Sequence, residues 1–241
     1  MSKDVGSNKK LSAKLEIPYP DFATLPAPVK QKFDGLPTVV NIFRMLGYSA
    51  GTFVEIIDLT NAIFKKLTLS DYHKELLVLQ VAAHQGNTYE WEQHVSISQA
   101  AGVRADQFIA IAEERFDDVE AFAPNERVLL HFGKIIHEQG KAPAVVFKHA
   151  LEHFSIEELS DAMIVIGYYR LLSIYIRTFD IPIDAQEDGN LTNPLISIQS
   201  DLAPIRGVPV DPGFHRRAGW NHGQGGAFRG DSRLHWRAVW A

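Results

Sequence analysis

The feature that most limits the fold of this chain is a helical spacing of apolar residues that runs, with interruptions, from Val39 to Phe179. Apolar side chains recur three and four positions apart, the spacing that places them on one face of an α-helix. Between these two residues no segment shows convincingly the alternating apolar and polar pattern of a half-buried strand. The sequence therefore predicts an all-α single domain of about six to eight helices.

Signals for helix ends divide this region into several predicted helices. Their approximate ranges are 39–46, 53–64, 72–84, 89–101, 108–112, 124–139 and 159–179. Only Gly86-Asn87-Thr88 separates the third and fourth ranges, so these two helices are expected to pack antiparallel as a hairpin. The last helix has the clearest start, because Ser155 begins a Ser-x-x-Glu capping box.

The regions that flank the helical domain differ from it in composition. Residues 1–36 are rich in proline and are predicted to form an arm along the surface rather than a helix or strand. Residues 37–183 are the predicted helical domain, and residues 184–241 are a predicted disordered tail rich in glycine, arginine and tryptophan. RNA binding by this tail stays open as an alternative, because arginine and aromatic side chains can stack on bases.

Composition excludes several classes of protein. The apolar runs are far shorter than the roughly 20 residues of a bilayer span, and the polar N-terminus has no apolar signal core, so a cytoplasmic protein without membrane contact is predicted. The formal net charge of -5 offers no basic field to drive nucleic-acid binding. The chain has no cysteine, which excludes disulfides, thiolate metal sites and thiol peroxidase chemistry.

Three ionisable residues fall on the two helices of the predicted hairpin. Glu75 shares a helix face with Val78 and Leu79, so we expect its carboxylate to be buried. Burial raises the pKa of a carboxyl group, and such groups are common at functional sites. Glu90 and His94 lie one turn apart on the next helix, and the antiparallel hairpin lets Glu75 approach them. Glu75, Glu90 and His94 are therefore the predicted catalytic residues, with an ion-pair role for Glu75 as the structural alternative.

The same residues resemble a family signature. Glu75, the 19-residue step to His94 and the string Tyr89-Glu90-Trp91-x-x-His94 are similar to the signature of the carboxymuconolactone decarboxylase family, whose wider superfamily includes alkylhydroperoxidase D. The resemblance covers about residues 33–182. In the peroxidase branch two cysteines three residues apart precede the histidine, and here those positions are Asn87 and Glu90. The resemblance thus implies a cysteine-less member that is not a thiol peroxidase.

The resemblance also implies an activity, namely cofactor-independent decarboxylation of a lactone or a small cyclic or unsaturated carboxylic acid. Carbon dioxide would leave an extended enolate, His94 would exchange the proton with carbon, and Glu75 and Glu90 would orient His94 and set its charge. The residues expected to bind the substrate are Tyr89, Trp91, His84 and Asn87. No metal or organic cofactor is expected. A lactone isomerase or hydrolase of the same fold and a non-catalytic binding or scaffold protein stay open as alternatives.

Two further patterns bear on assembly and on other chemistry. Several helices are apolar on more than one stripe, which predicts a homo-oligomer, and the resemblance points to trimers or hexamers. His149 and His153, with Glu152 between them, are predicted to lie on a solvated face, with a binding role as the less favoured alternative. Residues 47–51 match Gly-x-Ser-x-Gly, but no predicted strand precedes them, so a turn is expected there.

Overall fold

The computed structural model describes residues 17–184, and within them it contains nine α-helices, two short 3-10 helices and no strand. The all-α prediction is confirmed, although the helices outnumber the six to eight expected. The helices are α1 (Ala27–Asp34), α2 (Asn41–Leu46), α3 (Phe53–Lys65), α4 (Asp71–Gln85), α5 (Thr88–Ala100), α6 (Ala105–Ala112), α7 (Pro124–Gln139), α8 (Ala144–Ala150) and α9 (Ile156–Thr178). Residues 1–16 of the predicted arm, and the predicted tail after Asp184, lie outside the described residues.

Two of these helices were not expected from the sequence. Helix α1 falls inside residues 1–36, so the expectation of neither helix nor strand there is wrong for Ala27–Asp34. Its two prolines, Pro26 at the N-cap and Pro28 in the first turn, occupy positions where a helix does not use the missing N–H. Helix α8 has only seven residues and also begins after a proline, Pro143. In both cases the N-cap residue is a proline.

The hairpin of α4 and α5 forms as the sequence predicts. The Ser70 hydroxyl accepts a hydrogen bond from the His73 amide at 3.2 Å and begins α4. Gly86 ends α4 in the left-handed region, with φ of 59°, where glycine carries no steric cost. Asn87 then caps α5, because its side-chain oxygen accepts from the Glu90 amide at 3.2 Å. Two residues therefore link the helices, and α5 returns along α4.

Helix α4 is the central helix of the domain. It packs against α5, α6, α7 and α9, so its side chains are covered on nearly every face. The run Leu76, Leu77, Val78 and Leu79 is at most 1% exposed. A helix enclosed in this way carries any polar residue in its middle turns into the interior, and Glu75 is such a residue.

Helix α9 is the longest helix and packs along α4 on one side. Its start is as predicted, since Ser155 and Glu158 form the reciprocal capping box. Among the described helices it alone is long and apolar enough to cross a bilayer by length and composition, and half of that window is buried in the fold. The same length and composition suit a helix with one face in the core of a domain.

Candidate active site

The carboxylate of Glu75 is held at the centre of a buried polar cluster. Its side chain is fully buried, and its Oε2 lies 2.8 Å from Nδ1 of His94. The Ser98 hydroxyl donates to the same oxygen at 3.2 Å. When His94 is neutral, this contact places its proton on Nδ1, which leaves Nε2 as the nitrogen free to exchange protons.

Glu90 lies on the other side of the imidazole, one helical turn before His94. Its Oε2 is 3.7 Å from Nε2 of His94, and the side chain is almost entirely buried. Burial raises the pKa of Glu90 to about 7, the negative charge of Glu75 adds to this rise, and His94 opposes it. Glu90 can therefore both accept and donate a proton near neutral pH.

The charge state of His94 depends on these two carboxylates. Burial lowers the pKa of His94, but the charge of Glu75, its hydrogen bond and the charge of Glu90 together outweigh burial and raise the pKa above its ordinary value. The structure thus brings together the three residues predicted to be catalytic, and the pKa values of both His94 and Glu90 are raised within this cluster.

A lysine completes the electrostatics of the cluster. Lys74 is buried, and its Nζ lies 3.8 Å from Oε1 of Glu75, which has no hydrogen bond of its own among the described residues. The same ammonium group bonds to Asp71 at 2.6 Å and sits over the ring of Phe64, 4.9 Å from the ring centre. Lys74 therefore offsets part of the negative charge that Glu75 brings into the interior.

A small cavity opens beside His94 and Glu90. Its volume is about 50 Å³, and its lining is mainly apolar and aromatic. The lining residues are Val40, Ile42, Phe43, Thr60, Phe64, Tyr89, Glu90, Gln93, His94, Tyr168, Tyr169 and Leu172. The His94 imidazole and the Tyr169 ring are nearly perpendicular, with their centroids 5.0 Å apart. This space suits only a few water molecules, so the walls must move to admit a larger ligand.

Asp184 links the start of α2 to two residues of α5 that line the cavity. Its carboxylate accepts hydrogen bonds from the Asn41 amide at 2.8 Å, from the Tyr89 hydroxyl, and from the Gln93 side chain at 3.2 Å. Burial, followed by the interaction with Asp184, raises the pKa of Tyr89, so this phenol stays protonated and donates. Sequence reasoning did not single out Asp184, because it was assigned to the tail.

The four residues predicted to bind substrate are separated by the fold. Tyr89 lines the cavity, whereas Trp91 packs edge-on against Phe108, with ring centres 6.0 Å apart, and does not line it. Asn87 is buried at the start of α5, where its amide donates to Ser173 at 2.9 Å. His84, at the end of α4, borders a different cavity. Of these four residues, Tyr89 alone reaches the cavity beside His94.

Several residues of the site were missed because they come from other helices. Tyr169 and Leu172 reach the cavity from α9, and Thr60 reaches it from α3, where its hydroxyl hydrogen-bonds to the Tyr168 hydroxyl. The sequence offers one indirect signal for these residues. Polar side chains within apolar helical runs are expected to be buried, and buried polar groups need hydrogen-bond partners. Which helix supplies those partners is set by packing.

Comparisons with known proteins find matches only among solved structures. No protein-family model matches the sequence, and no curated protein matches it. An uncharacterized peroxidase-related protein with an alkylhydroperoxidase core, from Ralstonia eutropha JMP134, superposes with a TM-score of 0.60 at 19% identity over 72% of this chain and 94% of its own. A peroxidase-related protein from Silicibacter sp. TM1040 gives 0.60 at 16% identity over 77% and 98%.

A third similar structure has a named activity. The debrominase Bmp8, in a variant bound to 2,3,4-tribromopyrrole, superposes with a TM-score of 0.54 at 16% identity, covering 66% of this chain and 85% of its own. At these identities the comparisons establish the fold. The described part of the chain, which has no cysteine, therefore has the fold of the alkylhydroperoxidase D-like superfamily.

Proposed function

We propose that this protein is an enzyme that decarboxylates a lactone or a small cyclic or unsaturated carboxylic acid by acid/base catalysis, without a thiol, metal or organic cofactor. The observation that carries the proposal is the buried set of Glu75, His94 and Glu90 at the wall of an apolar cavity. The bound tribromopyrrole of the debrominase supports a small unsaturated ring as the ligand class for this fold.

The geometry supports a different task for each of the two acidic groups. Glu75 faces Nδ1 and is shut off from the cavity, so it fixes the tautomer and orientation of His94. His94 and Glu90 both line the cavity, and in this proposal Nε2 of His94 and the carboxyl group of Glu90 act on the substrate. His94 is the general acid in this assignment, and Glu90 exchanges protons with it.

The reaction balances without a co-reactant other than a proton. The bond between the substrate carboxylate and its α-carbon breaks, carbon dioxide leaves, and the electron pair passes into a conjugated enolate. His94 then protonates the carbanionic carbon from Nε2, and a proton taken up from solvent and passed on by Glu90 restores the imidazolium. The surrounding aromatic walls exclude bulk water, which strengthens each electrostatic contact with the enolate.

The charge of the site suits an anionic substrate at neutral pH. Two ionised carboxylates would repel the substrate, but the pKa of Glu90, raised to about 7 by burial, leaves a large share of this group neutral. The raised pKa of His94 favours its cation, which attracts the substrate carboxylate. Binding is therefore expected to weaken as Glu90 ionises above pH 7.

Carbon dioxide release tests the proposal directly. Purified protein is assayed against lactone acids, β-keto acids and aromatic acids without added metal or cofactor, together with His94→Ala and, as a matched control, His137→Leu. His137 is as buried as His94 but lies outside the cluster. We expect His94→Ala to lose about 100-fold or more in kcat/KM, and the control to keep activity. Equal turnover by His94→Ala and the unsubstituted protein, or no release from any acid, overturns the proposal.

The pH profile identifies the role of Glu90. The kcat/KM of the unsubstituted protein should fall above about pH 7, and this inflection should be absent in Glu90→Gln. Product analysis in the same assays separates decarboxylation from lactone isomerisation, which needs the same proton transfer but retains the carboxylate carbon. A rearranged product of unchanged mass would identify the activity as lactone isomerisation instead of decarboxylation.

We also propose that the protein forms a homo-oligomer, a trimer or a hexamer. On α9 four large apolar side chains, Met163, Ile164, Leu171 and Ile174, are between 43% and 57% exposed. They occupy one face at helical spacing, and a contiguous exposed apolar face of this kind favours association. Sedimentation equilibrium should give three or six chains, and Leu171→Glu should dissociate them. A monomer at micromolar concentration contradicts the proposal.

A further inference from the structure

Three metal-ligating side chains meet on the surface at the end of α8, outside the candidate active site. His149 lies in the last turn of α8, and Glu152 and His153 lie in the turn that follows it. The available ligand atoms of these three residues all lie within 4.8 Å of one another. Nδ1 of His149 is 3.1 Å from Oε2 of Glu152.

The backbone explains why these side chains converge. The Glu152 amide donates to the His149 carbonyl at 3.1 Å, and the His153 amide donates to the Ala150 carbonyl at 3.1 Å. These bonds between residues three apart tighten the helix end, so that His149 and Glu152 stack on one side. The turn is anchored by Phe154, which is 5% exposed and packs against His73. The ligand atoms therefore project from a fixed backbone.

We propose that His149, Glu152 and His153 bind one divalent transition-metal ion, with Zn²⁺ as the best match. Zinc takes imidazole nitrogen and carboxylate oxygen at about 2.0–2.2 Å in a tetrahedral arrangement, so two ligand atoms of one ion lie about 3.4 Å apart. The separations here need only small rotamer changes, which exposed side chains make at little cost. Mg²⁺ is a poor match, because it prefers oxygen ligands and keeps its water.

The site differs in kind from the candidate active site. All three ligands are exposed, and none of them lines the cavity beside His94. Three protein ligands leave at least one position for water or for a donor from another molecule. The ion would cross-link the end of α8 to the turn before α9. This inference does not depend on the proposed decarboxylase activity.

Calorimetric titration of the full chain with ZnCl₂ at pH 7.5 tests the inference. We expect the double variant His149→Ala/His153→Ala to lose one molar equivalent of bound Zn²⁺. Each single variant should bind at least about tenfold more weakly, since even outer residues of metal sites change affinity by this factor. The matched control is His131→Ala, which removes an exposed histidine paired with Asp117. Zinc bound elsewhere is common to all variants and cancels in the comparison.

Two further readouts keep the test independent of activity. Bound Co²⁺ should give a visible absorption band that is absent from the double variant, and Zn²⁺ should raise the unfolding temperature of the unsubstituted protein more than that of the variant. Binding should be weaker at pH 5 than at pH 7.5, because imidazoles ligate only when neutral. The inference is overturned if the double variant binds Zn²⁺ with unchanged stoichiometry and affinity, or if His131→Ala loses the same equivalent.

Discussion

His94 and His137 are equally buried, each 5% exposed, yet their pKa values shift in opposite directions. The pKa of His94 is raised, because the carboxylates of Glu75 and Glu90 outweigh the effect of burial. The pKa of His137 falls to about 4, first through burial and then through the positive charge of His84 and Arg170. Burial alone thus does not set the protonation of an imidazole, and its charged neighbours decide the sign.

The two histidines also differ in hydrogen bonding. His94 contacts a carboxylate through each ring nitrogen, at 2.8 Å and 3.7 Å. His137 stacks on His84 with ring centres 4.9 Å apart, and neither of its nitrogens has a hydrogen-bond partner among the described residues. One imidazole is therefore equipped for proton exchange, and the other is held neutral at physiological pH.

The largest expected effect comes from removing Glu75, the carboxylate that distinguishes the surroundings of His94 from those of His137. Glu75→Ala leaves Lys74 and His94 buried without this partner, so we expect the free energy of unfolding to fall by about 3–5 kcal/mol. Glu75→Gln keeps an acceptor oxygen and should cost less. Urea denaturation at pH 7 measures both changes. Equal, small losses in the two variants would show that the cluster is not held by this charge.

Protonation of His137 should make the fold less stable in acid. Its folded pKa of about 4 lies below the ordinary value of 6.5, so the unfolded state binds more protons between these two values and stability falls as the pH drops through this window. We expect a loss of up to about 3 kcal/mol, and its absence in His137→Leu. Urea denaturation at pH 7 and pH 4.5 checks this, with the exposed His131→Leu as control. An identical acid loss in His137→Leu refutes the assignment.

Glu90 should show the opposite dependence on pH. Because its folded pKa is raised from 4.5 to about 7, the folded state binds more protons between these two values, and the stability contributed by this group is lost as the pH rises from 4.5 to about 7. Glu90→Gln should therefore raise the unfolding free energy at pH 8 by about 2 kcal/mol and change it little at pH 5. A gain of equal size at both pH values would point to packing instead of charge.

The smallest expected effect concerns Asp184, which joins the cavity wall without entering the proton-exchanging cluster. Asp184→Asn retains one acceptor oxygen for Asn41, Tyr89 or Gln93, so the unfolding free energy should fall by only about 1 kcal/mol. Thermal unfolding measures this change. A loss as large as that of Glu75→Ala would place Asp184 among the groups that hold the fold together.

Local sequence signals located most of the helices because their end signals act over a few residues. Helix α7 spans Pro124–Gln139 as expected, since proline suits the first helical position and Gly140 takes a φ of 73° behind it. The short helices α1 and α8 escaped prediction, because each follows a proline that also suits a loop, and neither is long enough to show a clear apolar period.

The sequence by itself determined the all-α fold and brought Glu75, Glu90 and His94 together, because a two-residue link leaves α4 and α5 only an antiparallel packing. The tertiary structure alone decided which side chains face the cavity. It turned Trp91 toward Phe108, set His84 against His137, and brought Tyr169 and Asp184 to the site. Contacts between helices distant in sequence depend on how all the apolar faces pack at once, and no local spacing records that outcome.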